Sequence, residues 1–309
     1  MQISIVSTLY FSEDTIVEFC TRMENSVSEI TNDYEIILVD DGSPDNSYEI
    51  SQKMRKANKK IKLIQLSRNF GHHRAVYAGL EHAEGDFIFL IDSDLQEQPE
   101  SLQYFYNQLL SKKNVDAVIG MQINRSKSIF DKAAYFYYKL FNKLSDETYI
   151  KESYMTIRLM RKNLVQAFLR HKDKELYFGP LFSLTGFNQI FIPQEKFPNK
   201  KTTYSFLKRY DVFINSILSF SSKPLYFVFY SGIFTTFISL IFVIYIIYLK
   251  VFSDTIDSGW TSLMVSLWFL GGIVITFIGL VAIYVNKIYL EIKDRPLYII
   301  NRSEGFFND

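Results

Sequence analysis

Apolar and polar positions follow two different periods over residues 1–121. Five short runs, rich in β-branched and aromatic side chains, are typical of strands buried on both faces of a parallel sheet. These runs are Ile3–Thr8, Glu35–Asp40, Ile61–Leu66, Phe87–Ile91 and Ala117–Gly120. Between them, apolar residues recur at helical spacing. In the first such stretch they are Ile16, Phe19, Cys20, Met23, Val27 and Ile30. The pattern predicts a doubly wound α/β domain, in which ligands lie at the carboxyl ends of the strands.

Two long apolar runs lie further along the sequence. Pro224–Leu249 has 26 residues without a charge, and Gly259–Asn286 has 28. A helix of this length reaches roughly 40 Å, whereas the hydrocarbon core of a bilayer is about 30 Å thick. The alternative, two helices buried in a soluble domain, fits such long charge-free runs less well. Residues 223–290 are therefore predicted to form two transmembrane helices.

The charges that flank these two runs predict their orientation. Basic residues precede the first run and follow the second, at Lys208, Arg209, Lys223, Lys287, Lys293 and Arg295. The loop between the runs offers Asp254 and Asp257, with only Lys250 at its edge. The positive-inside rule then places both termini and the α/β domain on the cytoplasmic side of an inner or plasma membrane, with residues 291–309 as a cytoplasmic tail. No secretory signal is expected, because Met1 leads directly into a strand-like run.

Composition and charge exclude several classes of protein. Hydrophobic residues make up 48% of the chain and charged residues 22%, which excludes a disordered protein. The net charge of +1 gives no indication of a nucleic-acid partner. Cys20 is the only cysteine, which excludes an intramolecular disulfide and metal sites built on several cysteines, and which fits a reducing compartment.

The charge is unevenly distributed along the chain. Residues 1–121 contain 11 Lys and Arg against 19 Asp and Glu, whereas residues 122–223 contain 18 against 8. In the basic part, residues 122–222, the stretches Lys127–Ser145 and Phe206–Phe220 both show apolar residues at helical spacing. Such helices lie in a bilayer interface, with cations toward lipid phosphate, or pack on the sheet. The interface is favoured for the second stretch, which leads into the first apolar run.

Two acidic clusters follow predicted strands. Asp40-Asp41-Gly42-Ser43 ends the second strand and Asp92-Ser93-Asp94 the fourth. At one sheet edge the carboxylates repel each other unless a cation or a donor-rich ligand lies between them. Oxygen-only ligation suits Mg²⁺ or Mn²⁺ bridging a diphosphate. The alternative is that these residues only cap turns and helices. A dinucleotide-binding dehydrogenase is disfavoured, because residues 8–13 contain no glycine, and a P-loop is absent.

Several motifs taken together resemble one family. They are Asp40-Asp41-Gly42-Ser43, Leu66-Ser67-Arg68-Asn69-Phe70-Gly71-His72, Asp92-Ser93-Asp94-Leu95-Gln96 with Pro99-Glu100, Arg158-Leu159-Met160, and Lys293-Asp294-Arg295-Pro296. In this order they resemble the family 2 glycosyltransferases of the polyprenyl-phosphate type over essentially the whole chain. These include undecaprenyl-phosphate glucosyltransferases and, more distantly, dolichyl-phosphate mannose synthases. The resemblance implies a GT-A fold, a nucleotide-diphosphate sugar donor, a divalent metal and inversion at the anomeric carbon.

The resemblance assigns roles on the side of the nucleotide base. Thr8, Tyr10 and Glu13 match the stretch that helps to hold the base. Asp40 and Asp41 match its polar partners. The family's Tyr-Asn-Glu is here Tyr-Phe-Ser-Glu, so the contact that the asparagine would make does not transfer.

Further roles concern the diphosphate and the metal. Asp92 would face the ribose and the metal, and Asp94 would bind the metal directly. Arg68 and Arg74 would donate hydrogen bonds to the diphosphate, or remain solvated surface residues. Gly71 permits close approach of the backbone. The two histidines that follow Gly71 are assigned to the nucleotide side or to the start of a helix, rather than to the metal.

One departure from the family bears on the acceptor. The family's aspartate before Phe-Arg-Leu is Thr156 here, so its catalytic or substrate-orienting role does not transfer. A sugar hydroxyl needs a general base, whereas a lipid phosphate is already anionic. A phosphate acceptor, positioned by Arg158, is therefore favoured over a structural ion pair of that arginine. With a hydroxyl acceptor, the candidate bases are Glu97, Glu100 and Glu152, in no order of preference.

The sequence thus predicts a membrane-anchored, metal-dependent glycosyltransferase. It would move a sugar from a nucleotide donor, with a uridine diphosphate sugar favoured, to polyprenyl phosphate on the cytoplasmic face. One alternative is a hydroxyl acceptor in a surface polysaccharide or glycolipid. Another is an inert membrane scaffold of the same fold, which Thr156 favours and the intact Asp92 and Asp94 disfavour. A homo-oligomer stays open.

Overall fold

A computed structural model of the chain describes residues 2–123, 129–145, 151, 153–197, 215–252 and 259–306. The chain divides into two compact units. The first comprises Met1–Asn142, Glu147–Arg209 and Arg295–Asp309. The second comprises Lys143–Asp146 and Tyr210–Asp294.

The strands and helices begin and end at the following residues. The strands are β1 Ile3–Leu9, β2 Tyr34–Asp40, β3 Ile61–Leu66, β4 Phe87–Leu90, β5 Ala117–Gln122, β6 Tyr154–Arg161, β7 Gln189–Gln194 and β8 Ile300–Glu304. The helices are α1 Ile16–Ser28, α2 Ser47–Ala57, α3 His72–Glu81, α4 Ser101–Ser111, α5 Ile129–Leu144, α6 Lys162–Leu169, α7 Phe178–Leu184, α8 Lys223–Phe252 and α9 Trp260–Ile292. The five strands predicted in residues 1–121 all form.

The strands of the described residues form one eight-stranded sheet in the order β7-β5-β6-β4-β1-β2-β3-β8. Strand β1 pairs in parallel with β2 and β4, and β2 pairs in parallel with β3, as the apolar runs predict. Two strands that the sequence reasoning did not include run antiparallel. Strand β6 lies between β4 and β5, and β8 pairs with β3. The sheet is therefore mixed rather than purely parallel.

The apolar pattern explains how the sheet is covered. Nearly every residue of β1 and β2 is buried, because helices pack on both faces of a central parallel strand. Helix α1 buries one stripe, which includes Ile16, Phe19 and Met23, against the sheet. The core therefore fixes the positions at which β1, β2 and β4 end.

Strand β8 lies within residues 291–309, which the sequence predicts to be a cytoplasmic tail. Its sequence, Ile-Asn-Arg-Ser-Glu, is mostly polar, which is typical of an edge strand and explains why the apolar pattern did not reveal it. The backbone N–H of Ser67 donates to the carbonyl of Ile299 at 2.9 Å. The Tyr298 hydroxyl donates to Glu81, and Tyr48 donates to Glu304 at 3.1 Å. These contacts hold the segment against β3 and two helices.

The second unit contains the two long apolar helices, α8 of 30 residues and α9 of 33. Within the described residues, one segment, Phe269–Ile292, is long and apolar enough to cross a membrane, with a mean hydropathy of 2.2. Both apolar runs therefore form helices, and one of the two predicted spans has the length and composition required. The second span stays a prediction, and Asp254 and Asp257 lie outside the described residues.

The two predicted interfacial stretches are described in part. Helix α5 covers most of the first, and Phe141 near its end is buried. Of Phe206–Phe220, residues 215–220 are helical, and Ile217 and Leu218 are largely buried. Lys208 and Arg209 lie outside the described residues, so a role at the interface stays a prediction.

Candidate active site

Both acidic clusters lie at one edge of the sheet. Leu9, the last residue of β1, is the partner of Asp40 in the parallel register, and Leu90 ends the neighbouring strand β4. Asp41 directly follows Asp40, the last residue of β2, and Asp92 lies two residues after Leu90. The structure thus brings together the two clusters that the sequence predicted to meet.

Asp41 holds the loop that contains Arg68. Its carboxylate accepts hydrogen bonds from the backbone N–H groups of Phe70, at 2.7 Å, and Gly71, at 3.0 Å. Burial raises the pKa of Asp41, and these two bonds oppose the shift. Gly42 has a φ of +62°, and a Cβ atom there would lie 2.6 Å from the carbonyl carbon of Arg68. Only glycine permits this packing of the loop on β2.

Asp40 is buried beside this loop and is 1% exposed. Its carboxylate accepts hydrogen bonds from the Ser43 N–H at 3.2 Å and the Gln65 amide at 3.4 Å. Burial raises the pKa of Asp40 to about 6, a shift that these hydrogen bonds oppose. Asp40 is therefore a buried carboxyl group that accepts hydrogen bonds at this edge of the sheet.

His72 connects the two strand ends. Its Nδ1 lies 3.1 Å from the Thr8 hydroxyl, and its Nε2 lies 3.7 Å from a carboxylate oxygen of Asp92. The sequence analysis assigns Thr8 and Asp92 to separate roles, and it assigns His72 to the nucleotide side or to the start of a helix. His72 does begin α3, but it also joins these two residues. The motif of residues 66–72 places His72 directly after the loop that follows β3, and this position could have indicated the contact.

Asp94 lies in a tight turn after β4. Its two carboxylate oxygens accept hydrogen bonds from Gln96, from the backbone N–H at 3.0 Å and from the side-chain amide at 2.7 Å. Leu95 has a φ of +59°, which reverses the chain. Burial and the charge of Asp92 raise the pKa of Asp94. A cation beside these carboxylates would lower that pKa, so the turn fits an oxygen-ligated metal ion.

Protein carboxylates alone do not complete a metal site here. Within the parts of the chain that the structure describes, no group of three or more His, Cys, Asp or Glu side chains could hold a metal ion. Mg²⁺ is commonly bound by one or two carboxylates together with phosphate oxygens of the substrate. Asp92 and Asp94 match that donor set.

The residues predicted to hold the base differ in their surroundings. Tyr10 is 44% exposed and faces solvent, which leaves its ring available for stacking. Glu13 accepts two hydrogen bonds from Asn46, at 3.1 Å from the backbone and 3.0 Å from the side chain. Asn46 precedes α2, so Glu13 also fixes the start of that helix.

The arginines predicted near the diphosphate are also partly engaged. The guanidinium group of Arg68 lies 4.3 Å from the centre of the Phe70 ring, and the side chain is exposed. Arg74 donates to the carbonyl of Lys174 at 3.3 Å. Gly71 has a φ of +98° and precedes α3. Arg68 likewise donates to a backbone carbonyl, that of Asn69, at 3.3 Å, and it is the more exposed of the two cations.

Arg158 is a buried cation on β6. It donates from Nε to the carbonyl of Thr156 at 2.9 Å and from a terminal nitrogen to the carbonyl of Met155 at 3.0 Å. Its guanidinium group lies 4.8 Å from the centre of the Phe182 ring. Burial lowers the pKa of Arg158. Thr156 lies two residues earlier on the same strand face and is half-buried.

The structure separates the three candidate bases. Glu100 forms two hydrogen bonds of 2.7 Å with Arg22, away from the strand ends. Glu152 lies outside the described residues. Glu97 is 1% exposed and accepts a hydrogen bond from the Ile157 N–H at 3.3 Å, while its second carboxyl oxygen has no hydrogen-bond partner among the described residues. Burial and the charge of Asp92 raise the pKa of Glu97 to about 8.

Comparison with solved structures defines the fold class. Mannosyl-3-phosphoglycerate synthase from Rubrobacter xylanophilus superimposes with a TM-score of 0.50 at 14% sequence identity, covering 71% of this chain and 73% of that chain. The mixed sheet is that of the GT-A fold.

Comparison of sequences then defines the family. The chain belongs to glycosyl transferase family 2, whose profile matches residues 4–169. A Mycobacterium tuberculosis protein assigned to the glycosyltransferases in general is 40% identical over 306 residues, which are 99% of this chain and 89% of the relative. A prophage-derived bactoprenol glucosyl transferase of Shigella flexneri is 30% identical over 308 residues, which are 98% of each chain. The resemblance to the polyprenyl-phosphate type is confirmed.

Proposed function

We propose that this protein transfers a sugar from a nucleotide-diphosphate sugar to a polyprenyl phosphate. The observation that carries the proposal is the match to the bactoprenol glucosyl transferase of Shigella flexneri over 98% of both chains. The paired carboxylates at the edge of the sheet support a nucleotide-diphosphate donor, and a uridine diphosphate sugar is favoured.

The donor lies across the ends of β1, β2 and β4. Tyr10, with its exposed ring, stacks on the base, and Thr8, Asp40 and Asp41 line the same edge. Glu13 supports this wall through its bonds to Asn46. Asp40 is buried at this edge, and its carboxyl oxygens accept hydrogen bonds from polar hydrogens of the base.

Asp94, together with Asp92, holds a divalent cation in this proposal, either Mg²⁺ or Mn²⁺. When bound, such a cation stabilises the negative charge that develops on the departing diphosphate. Arg68 and the backbone around Gly71 donate additional hydrogen bonds to the same group. His72, whose Nε2 lies 3.7 Å from a carboxylate oxygen of Asp92, helps to orient that carboxylate.

The acceptor approaches on the side of β6. An anionic oxygen of the lipid phosphate forms a bond to the anomeric carbon, and the bond from that carbon to the diphosphate oxygen breaks. The electron pair leaves with the nucleoside diphosphate, and the configuration inverts. No side chain has to remove a proton from an oxygen that is already anionic, which is why Thr156 can replace an aspartate. Arg158 positions the phosphate by charge-assisted hydrogen bonds.

The membrane arrangement is part of the proposal. Helices α8 and α9 form two spans, with the catalytic unit and both termini on the cytoplasmic face. Segment Phe269–Ile292 supports one span by its length and composition. A cytoplasmic catalytic unit has access to nucleotide sugars and, through the interface helices, to lipid phosphate.

One observation favours a second candidate function. Glu97 is buried beside Ile157, next to the position at which the family has an aspartate, and no described residue bonds to one of its oxygens. If Glu97 acted as a general base, the acceptor would be a hydroxyl group in a polysaccharide or glycolipid.

The test uses membranes that contain the protein and a panel of radiolabelled nucleotide sugars. Undecaprenyl phosphate is added, the lipids are extracted, and the label in the lipid phase is measured. We expect transfer from one or a few donors to undecaprenyl phosphate and none to the corresponding alcohol. Transfer to the alcohol alone would support the second candidate. The absence of transfer from every donor would favour an inert scaffold.

A further inference from the structure

A cavity of about 190 Å³ opens beside Arg158. It is lined by residues of β5, β6, β7 and α7, and the exposed Lys151 lies at the same cavity. In the parallel register of β5 and β7, Ile119 is the partner of Phe191, and both residues line the cavity. The cavity is thus formed by the part of the sheet beyond β4 and is separate from the predicted base-binding wall at β1 and β2.

Among the described residues, the cation in this cavity has no ion-pair partner. Arg158 is 2% exposed and donates hydrogen bonds to two backbone carbonyls. The charges of Glu97 and Asp92 partly offset the lowering of the Arg158 pKa by burial, but neither described carboxylate forms an ion pair with Arg158. A buried cation that is not paired is costly, and an anion beside it removes that cost. The carbonyl bonds fix the guanidinium plane, so the group is prepared for an anion.

The rest of the lining combines aromatic and aliphatic side chains with the polar side chains of Ser183 and Gln189. Phe182, Phe187, Phe191 and Ile119 contribute side chains without charge. The hydroxyl of Tyr154 already accepts a hydrogen bond from the Gly179 N–H, so its ring is the surface that faces a ligand. A ligand that fits this lining has an anionic head and an apolar continuation.

The volume limits the size of that ligand. A cavity of about 150 Å³ in a protein core holds a benzene molecule. In the same proportion, the 190 Å³ here accommodate a group of about eight non-hydrogen atoms. A phosphate ester with a single five-carbon isoprenyl unit, of about ten non-hydrogen atoms, is close to this size, whereas a whole polyprenyl chain is far larger.

We infer that this cavity binds the phosphate of the acceptor together with its first isoprenyl unit, the phosphate at Arg158 and Lys151 and the isoprenyl unit against the aromatic residues. The inference rests on the proposed function, and it adds which part of the acceptor the protein binds here, the phosphate and the first isoprenyl unit. Arg158 is the partner of Leu90 across β4, two residues before Asp92, so a phosphate held there lies beside the strand end that carries the metal-binding carboxylates. The remaining isoprenyl units do not contribute to recognition in this cavity.

The first test uses the wild-type protein in detergent and measures direct binding by calorimetry. Dimethylallyl phosphate is compared with inorganic phosphate and with dimethylallyl alcohol. We expect dimethylallyl phosphate to bind at least about tenfold more tightly than either fragment, since only this ligand satisfies the cation and the aromatic lining together. Equal binding of inorganic phosphate would overturn the role of the isoprenyl unit, and equal binding of the alcohol would overturn the role of the phosphate.

The second test uses variants in the transfer assay with undecaprenyl phosphate. Ser183→Leu fills the cavity, and Lys151→Gln removes the exposed cation. Ser183→Leu should raise the KM for undecaprenyl phosphate about tenfold, and Lys151→Gln should raise it about threefold. Both variants should leave the KM for the nucleotide sugar unchanged. Lys113→Gln, an exposed lysine outside the cavity, is the matched control. A rise in the KM for the nucleotide sugar instead would assign the cavity to the donor.

The two tests separate this inference from the proposed function. If the wild-type protein transfers no sugar to undecaprenyl phosphate, the proposed function fails, whatever the calorimetry shows. If transfer occurs but Ser183→Leu and Lys151→Gln keep the wild-type KM for the acceptor, the cavity fails as its site. Thermal unfolding of each variant identifies those that lose activity by misfolding. Ile119→Phe is a second variant that fills the cavity, and it should raise the KM for the acceptor in the same way.

Discussion

The carboxyl group of Glu97 accepts a hydrogen bond from the backbone N–H of Ile157 at 3.3 Å, across 60 residues of sequence. This contact joins the loop that contains Asp94 to the strand that contains Thr156. The second oxygen of Glu97 is buried and has no hydrogen-bond partner in the part of the chain that the structure describes. An ionised carboxylate in this position is unfavourable, and the pKa of Glu97 rises to about 8.

This pKa predicts how stability depends on pH. Between the ordinary value of 4.5 and about 8, the folded protein binds a proton at Glu97 that the unfolded chain does not. Stability should therefore fall as the pH rises through this window. Glu97→Gln removes the titration, and its free energy of unfolding should exceed that of the wild type progressively up to pH 8 and then by a constant amount. Unfolding by urea in the presence of chelator, from pH 5 to pH 9, measures this difference.

The control for this experiment is Glu29→Gln, since Glu29 is exposed at the end of α1. Its unfolding free energy should follow that of the wild type at every pH. Parallel curves for Glu97→Gln and the wild type would show that Glu97 ionises normally in the folded protein.

Asp94→Asn should abolish transfer. The substitution keeps the hydrogen bonds to Gln96 in part but removes the charge that would hold a divalent cation. Chelator should have the same effect on the wild-type protein, and Mg²⁺ or Mn²⁺ should restore activity. The measurement is the rate of label transfer into lipid, with Glu29→Gln as the charge-matched control. Full turnover of the wild type in chelator would exclude the metal assignment.

Thr156→Val should retain a substantial fraction of the rate, because an anionic phosphate needs no base. Thr156→Asp, which introduces the family's residue, should give no gain. Arg158→Ala should mainly weaken use of the acceptor, by about one to two decades, since a charge-assisted hydrogen bond contributes about 1.5 to 3 kcal/mol. Steady-state kinetics with varied acceptor measure these effects. Loss of transfer in Thr156→Val, with donor and acceptor still bound, would contradict the phosphate mechanism.

The phosphate mechanism also predicts the acid side of the pH profile. The rate should fall as the lipid phosphate dianion takes up a proton and becomes the monoanion, at about pH 6 to 7 by analogy with the second pKa of phosphorylated side chains. The profile should be the same in Thr156→Val, because the titrating group belongs to the substrate. If the acid side of the pH profile shifts when residue 156 is changed, the titrating group belongs to the protein rather than to the lipid phosphate.

The topology can be tested by labelling cysteines. A cysteine introduced at Asp254 or Asp257 should react with a membrane-impermeant reagent from outside the cell, and a tag after Asp309 should be protected. Cys20 is buried, so the native chain contributes little background. The reverse pattern would place the catalytic unit away from cytosolic nucleotide sugars.

The parts of the site that the sequence predicted are those fixed by strand order. Asp41 and Asp92 meet because parallel strands end at one edge, and an apolar run shows where each strand ends. The sequence could not distinguish Glu97 from Glu100, since their difference lies in contacts with Ile157 and Arg22 that are distant in sequence. Burial of a carboxylate depends on packing, and single-sequence patterns do not report it.

The antiparallel strands were missed for a related reason. The apolar residues of β6 indicate a strand, but direction depends on which neighbour it joins, and β6 lies between β4 and β5. Strand β8 is polar and short, and its pairing with β3 depends on contacts such as that between Ser67 and Ile299. Neither feature has a local signature.

Strand β8 also sets an order of events during synthesis. It borders β3, which is made from residues near the start of the chain, yet the ribosome translates it after both α8 and α9. The edge of the nucleotide-side sheet therefore stays unpaired while the two long helices are produced. The loop at Ser67, next to Arg68, acquires its last backbone hydrogen bond only when Ile299 has emerged. Maturation of the catalytic unit is thereby coupled to completion of the helical unit.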